Sequence, residues 1–256
     1  MQVKPIRTRI FKRRENLADF IVAHIPKLSD DSVLIVTSKI VALAEGRTVP
    51  IIDEHTREKA IRAESEFALR TEYTWLTLKD GLLMASAGVD ESNAEGENVI
   101  LLPKDSYKAA ATLRKELMKH YRLKRLGIVI PDSRVVPLRQ GAIGVAMGYA
   151  GIKGIRDYRG LPDLFGREFK VSRSNIPDML ASAAVLVMGE GTERCPLALV
   201  TGAPVTFTNR VNRKEVTIAP EHDMYRPFFQ EITRRERKFG SPPPYKRPAP
   251  PRRKKK

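Results

Sequence analysis

The apolar runs in this chain are short and do not repeat at a fixed period, and this most constrains what it can fold into. Val33 to Val36 inside "SVLIVTSKI", Gly81 to Val89 ("GLLMASAGV"), "NVILLP" and "RLGIVIPDS" have the length of strands, and each is followed by polar or turn-forming residues. Helical patterns of unequal length fall between them. "ENLADFIVAHI" places Leu17, Phe20, Ile21 and His24 on one face; His24 reads as a helix-face residue rather than a ligand. "HTREKAIRAESEFALR" predicts a charged helix from about Thr56, and "DSYKAAATLRKELMKHY" one with Asp105 as N-cap. "SNIPDMLASAAVLVMGEG" predicts a helix capped by Ser174 or Asn175, with Gly189 and Gly191 at its end. "RDYRGLPDLFGREFKV" reads as a loop leading to a strand, "PLALVTGAPVTF" as two short strands, and "YRPFFQEITRRERKF" as a last amphipathic helix. Strands and helices mix without a regular βαβ period, which predicts an α+β fold of mixed sheets with packed helices rather than a doubly wound sheet. There is no internal repeat.

With 256 residues, 42% of them hydrophobic, the chain can bury a core. We expect one catalytic-size domain over residues 1–240, with room for two intertwined subdomains, and a separate tail over 241–256. That tail, "SPPPYKRPAPPRRKKK", has seven Lys or Arg and no acid, and offers no apolar face to bury. It accounts for seven of the sixteen net positive charges, leaving a body that is still basic. A balance this basic suggests anionic partners: nucleic acid, nucleotides or acidic substrates. The single cysteine, Cys195, excludes a disulfide framework and a multi-cysteine zinc site. No apolar segment of signal-peptide type follows "MQVKPIRTRIFKRR". The longest apolar stretch, "GAIGVAMGYAGI", falls short of the roughly 20 residues that a spanning helix needs. The expectation is a cytoplasmic protein with no membrane partner.

The common signatures of phosphate, dinucleotide and zinc sites are missing: no G-x-x-x-x-G-K-[ST], G-x-G-x-x-G, H-E-x-x-H or C-x-x-C. Gly144-x-x-x-Gly148 is best explained by close backbone packing of a strand or turn. What recurs is an apolar element ending in polar residues: Thr37-Ser38-Lys39, then Asp90 and Asn93 in "ASAGVDESN", then Asp132 and Ser133, then Gly189-Glu190-Gly191. If these ends share one side of a sheet, their residues line a common crevice. Two aspartates and a glutamate there offer hard oxygen donors suited to Mg²⁺ or Mn²⁺, with Lys39, Arg139 and Arg159 to neutralise phosphate or carboxylate. Asp and Asn also simply suit turns after strands.

"VTSKIVALAEGR", "ASAGVDESN", "GIVIPDSRVVPLRQGAIGVAMGYAGI", "RDYRGLPDLFGREFKV" and "AAVLVMGEGTERCP" resemble, in order, the motifs of the coenzyme F-420 (deazaflavin) L-glutamate ligase family. The resemblance covers about residues 31 to 207. It implies a homodimer of α+β fold, distinct from ATP-grasp, that uses GTP (or ATP) and Mg²⁺ or Mn²⁺ to join L-glutamate to an acidic coenzyme acceptor by an amide bond. One branch is thought to act on folate, adding γ-linked glutamate. By resemblance, Ser38, Lys39 and Asn93 contact the nucleotide. Asp90 and Asp132 are metal ligands, joined by Ser133 where the family has Thr and Glu190 where Gln is common. Asp90, Asp132 and Arg139 then carry the catalysis. Three departures stand out. Leu43 replaces a frequent Lys, "TRIF" (Thr8 to Phe11) replaces a Leu-Pro-rich nucleotide loop, and "RVVPLRQG" keeps Pro137 and Arg139 but loses the family's aromatics.

The implied chemistry is attack of an acceptor carboxylate on the γ-phosphate, giving an acyl phosphate that the α-amine of L-glutamate then captures. No catalytic His or Cys is needed. Two alternatives from other classes stay open: a nucleic-acid-associated protein that has lost the activity, and a nucleotide sensor on the same fold. For the ligase, the tail should give at most weak, non-specific nucleic-acid binding.

Overall fold

The computed structural model describes residues 1–210 and 212–227. The chain divides into two compact units, each built from two segments: Met1–Pro50 with Glu91–Thr217, and Ile51–Asp90 with Ile218–Lys256. The 241–256 tail and most of the expected last helix lie outside the described residues.

In chain order the elements are β1 (Gln2–Ile6), α1 (Leu17–His24), β2 (Ser32–Val36), α2 (Ser38–Ala44), β3 (Thr48–Pro50), α3 (Glu54–Ala63), β4 (Phe67–Arg70), β5 (Trp75–Lys79) and β6 (Leu82–Ala85). Then come β7 (Asn98–Ile100), α4 (Ser106–Tyr121), β8 (Leu126–Val135), β9 (Ala142–Ala150), β10 (Ile155–Asp157), β11 (Arg173–Asn175), α5 (Ile176–Met188) and β12 (Leu197–Thr201). The class is mixed α+β.

The first unit is organised by a five-stranded sheet of order β1-β12-β2-β8-β9, in which β2 and β8 run parallel and the other neighbours antiparallel. Every residue of β2 is buried, because both faces of the sheet are covered. On one face Leu34, Val36, Leu126, Ile128 and Ile130 join Phe20 and Ile21 of α1, Ile40 and Val41 of α2, and Leu113 and Leu117 of α4. On the other, Val33, Ile35, Val129, Ala198 and Val200 pack on Leu180, Ala181, Ala184 and Met188 of α5. The strand period of two thus sorts each strand's side chains between two cores.

α1, α4 and α5 begin where short polar side chains satisfy their free N–H groups. Asn16 accepts from Asp19 N, Asp105 from Lys108 N and Asn175 from Asp178 N. Asn175, not Ser174, caps α5, and Gly189 ends it. In the second unit Asp53 caps α3 by accepting from Thr56 N, and β4-β5-β6 form an antiparallel sheet.

Several expectations need correcting. Thr37-Ser38-Lys39 is no turn, because Ser38 and Lys39 open α2. "PDS" does not end its strand: β8 continues to Val135, since Asp132 and Ser133 pair with Val145 and Gly144 of β9. The helix begun near Thr56 stops at Ala63, and "FALR" turns into β4, held by β5 on the same sheet. In "PLALVTGAPVTF" only β12 is a strand; Phe207 makes a lone bridge with Ile152.

Candidate active site

β2 and β8 are the sheet's parallel pair, and the chain leaves the C-terminal end of β2 straight into α2. That end of an open sheet is where strand-following residues gather. Ser38, only 1% exposed, donates from Oγ to Asp132 Oδ1 at 2.6 Å. Arg134, two residues on and on the same face of β8, brings Nη2 to 3.3 Å from Asp132 Oδ2. Both carboxylate oxygens therefore have a partner, and Asp132 is largely withdrawn from water. Lys39, next to Ser38, reaches Ser92 with Nζ, 2.6 Å from Oγ and 3.2 Å from the carbonyl. Ser92 directly precedes Asn93, whose φ of 60° puts it in a left-handed turn.

Ser133 and Glu190 make a second pair. Ser133 Oγ donates to Glu190 Oε1 at 2.6 Å. Successive residues of a strand point to opposite faces, so this pair lies on the α5 side and Asp132 on the α2 side. The four metal candidates of the sequence are thus met as Asp132 with Ser38, Ser133 with Glu190, and Asp90 in the other unit. Among the described residues no three His, Cys, Asp or Glu side chains converge as a ready-made ligand set. The donors present still suit a hard cation. Magnesium commonly keeps waters, takes one or two carboxylates and draws other ligands from substrate phosphates. Asp132 with Ser38 offers a carboxylate and a hydroxyl of that kind.

A bulge fixes the place of Asp132 along the sheet. β8 pairs Ile130 with Gly148 but Pro131 with Ala146, so Met147 is the extra residue on β9. Pro131 has no N–H to give to a regular ladder, and the break falls there. Asp178 secures it: Oδ1 accepts from Ala146 N at 2.9 Å and Oδ2 from Asn175 Nδ2 at 2.6 Å. Burial pushes the Asp178 carboxyl above the ordinary carboxylate range, against the opposing pull of those two donors. The bulge residue itself meets Arg134, whose Nη2 is 3.0 Å from Met147 Sδ.

The loop between β1 and α1 is held by Glu15. Its carboxylate accepts two hydrogen bonds from Arg9, and Lys12 N donates to it at 3.0 Å. Arg9 holds Glu15 down at about 2, well below its ordinary 4.5. This loop contains Thr8 to Phe11.

In the second unit, "ASAGVD" is strained. Ser86, Ala87 and Gly88 follow one another at φ 51°, 52° and 71°, a left-handed turn that costs the two non-glycine residues about 1 kcal/mol or more each. Its supports are buried or half-buried. Thr77 Oγ1 donates to the Met84 carbonyl at 2.8 Å and accepts from Ala87 N at 2.7 Å, and Ser86 Oγ lies 2.8 Å from Thr74 Oγ1. The turn delivers the chain, through buried Val89, to the half-buried Asp90.

The two arginines sit differently. Arg139 is exposed in the β8–β9 connection, its N–H bonded to the Val136 carbonyl at 3.3 Å. Arg159 is engaged with Asp157, Nε at 2.9 Å from Oδ1. Sequence reasoning missed Ser92, Arg134, Thr77 and Asp178. Of these only Arg134 carried a signal, as a cation two residues from Asp132 on an alternating strand.

The family model for F420-0:gamma-glutamyl ligase matches residues 5–202. The coenzyme F420:L-glutamate ligase of Methanocaldococcus jannaschii is 42% identical over 148 residues, 58% of each chain, so the match spans little more than half of that relative. The protein of that name from Methanopyrus kandleri is 31% identical over 83% of this chain and 92% of its own length. The Archaeoglobus fulgidus protein is 28% identical over 85% of this chain and 92% of its own. The matched span contains Ser38, Lys39, Asp90, Asn93, Asp132, Ser133 and Glu190, and the chain belongs to the F420-0:gamma-glutamyl ligase family.

Proposed function

We propose that this protein is a nucleotide- and metal-dependent ligase that joins L-glutamate by an amide bond to a carboxylate acceptor, the coenzyme F420 precursor. The observation that carries this reading is Asp132. It is a carboxylate sequestered at the end of the parallel pair and hydrogen-bonded by Ser38, in a chain whose relatives bear the name of that ligase.

In the first unit Asp132, with the Ser38 hydroxyl beside it, would hold Mg²⁺ or Mn²⁺, with Ser133 and Glu190 as further oxygen donors; in the second unit Asp90 is a carboxylate donor of the same kind. The cation supplies charge neutralisation at the phosphates during phosphoryl transfer. Lys39 is a point charge for nucleotide phosphate, kept in place between substrates by Ser92. Asn93 serves the nucleotide, and Arg139, exposed to solvent, receives the acidic acceptor or glutamate. With the γ-phosphate so held, the acceptor carboxylate attacks phosphorus and the nucleoside diphosphate leaves. The acyl phosphate then loses phosphate to the incoming α-amine. GTP is the expected donor, with ATP the competing one and a folate the competing acceptor.

The reading includes a homodimer. Leu164, Phe165 and Val171 on the segment between β10 and β11 are 98%, 82% and 80% exposed, and Leu186 of α5 is 83% exposed. Apolar exposure of this kind suits a protein interface. Light scattering should give about twice the 28.8 kDa of one chain.

The deciding experiment incubates the protein with L-glutamate, Mn²⁺ or Mg²⁺, GTP or ATP, and either acceptor. Mass spectrometry should show one or more glutamate increments on the F420 precursor, with Asp132→Asn reducing turnover per folded molecule at least about a hundredfold. No increment on either acceptor, under conditions where the protein binds nucleotide, would leave the nucleotide sensor as the better account.

A further inference from the structure

The surroundings of Asp132 contain a feature that the ligase reading does not use. Arg134 is 6% exposed, an unusual degree of burial for an arginine. Its Nη2 stands 3.3 Å from Asp132 Oδ2 and 3.0 Å from Met147 Sδ, the residue extruded by the β9 bulge. Ser38 holds the other carboxylate oxygen. A hydroxyl can rotate and turn a lone pair toward an arriving cation. A guanidinium cannot: it carries a permanent positive charge with no acceptor atom. A divalent cation approaching Asp132 therefore meets a resident cation already paired with the same carboxylate, in surroundings where water screens poorly.

We infer that Arg134 is a built-in counter-cation of Asp132 that competes with the divalent metal for this carboxylate and so sets its affinity. The inference rests on the reading of Asp132 as a metal ligand. It explains how a carboxylate this withdrawn from water stays partnered in the metal-free protein, since a buried charge left alone is strongly destabilising. It also gives the site an order of events. Metal arriving with nucleotide phosphates brings negative charge with it and can release Arg134 toward those phosphates, whereas bare metal must displace Arg134 unaided.

The test is a titration of the full chain with Mn²⁺ alone, without nucleotide or glutamate, following free Mn²⁺ by its electron paramagnetic resonance signal. Arg134→Gln and Arg134→Met remove the charge in polar and apolar form, so that one serves if the other fails to fold. Both should bind Mn²⁺ at least about tenfold tighter than the wild type, within the usual range of coupling between neighbouring sites. Arg134→Lys, which keeps the charge, should stay close to the wild type. Adding Asp132→Asn to Arg134→Gln should abolish the gain. Equal or weaker binding by both neutral variants would overturn the inference while leaving Asp132 as a ligand. A gain that survives Asp132→Asn would overturn it together with the assignment of Asp132.

Discussion

Single residues here act through what they hold in place. Thr77 is fully buried and its one hydroxyl makes two bonds, to the Met84 carbonyl and from Ala87 N–H. Valine keeps its shape and removes both. A buried N–H left without an acceptor costs about 1–3 kcal/mol, so Thr77→Val should destabilise the protein by about 2–3 kcal/mol in urea titrations. Because Ala87 lies in the left-handed turn before Asp90, Mn²⁺-dependent turnover should fall by more than the loss of folded protein explains. A loss of stability with turnover per folded molecule unchanged would separate the turn from the chemistry. Glu15 gives a pH-dependent counterpart. Its carboxyl is held down at about 2, chiefly by hydrogen bonds from Arg9. A carboxyl depressed in the folded state adds stability above its unfolded value and loses it as pH falls. The wild type should therefore exceed Glu15→Gln in stability at pH 6.5, and the gap should close as pH falls from about 5 toward 2. A gap that is the same at pH 6.5 and pH 3 would show that the ionised form of Glu15 is not what orders the Thr8–Phe11 loop.

At the scale of elements, β9 shows why the glycine spacing matters. A Cβ on Gly148 would stand 2.5 Å from the Ser106 carbonyl carbon, and one on Gly144 2.5 Å from the Ala181 carbonyl oxygen. The strand is clamped backbone to backbone between the start of α4 and the middle of α5, on opposite faces. Gly148→Ala should cost about 1–3 kcal/mol from overpacking, or several degrees in melting temperature for a chain of this size. An unchanged melting temperature would mean that α4 can shift freely. The spacing was legible in the sequence as close packing, and so were the Asp105 and Asn175 caps and the apolar run Val33–Val36 of β2, because these depend on neighbours along the chain. What was not legible depends on distant partners. β1 reads "QVKPI", with a charge and a proline, and is a strand because β12 pairs along its full length. Asp132 and Ser133 look like a turn locally and are strand because β9 lies alongside. The site shows the same division. Ser38, Lys39 and Asp132 could be named from the motifs, whereas the pairing of Asp132 with Arg134 needed the alternation of β8 and the bulge on β9.

On the scale of the whole molecule, the question is what the net charge of +16 serves. Seven of these charges fall in residues 241–256, outside the described residues and outside the 5–202 span matched by the family. The cations that the ligase reading employs are few and local: Lys39 and Arg139. If the tail alone carries nucleic-acid affinity, binding should be weak and indifferent to sequence. Its logarithm should fall with that of salt concentration with a slope no steeper than about 6, the limit for seven neutralised duplex phosphates. Truncation after Gly240 should then remove the binding and leave melting temperature and glutamate ligation nearly unchanged. Arg139→Ala should do the reverse, raising KM for an acidic substrate or lowering kcat while leaving the residual binding intact. Filter binding at several salt concentrations, beside the ligation assay, measures both halves. Nanomolar, sequence-selective RNA binding by the truncated chain at physiological salt would assign the body's basic surface to nucleic acid and revive the reading in which this fold no longer acts as a ligase.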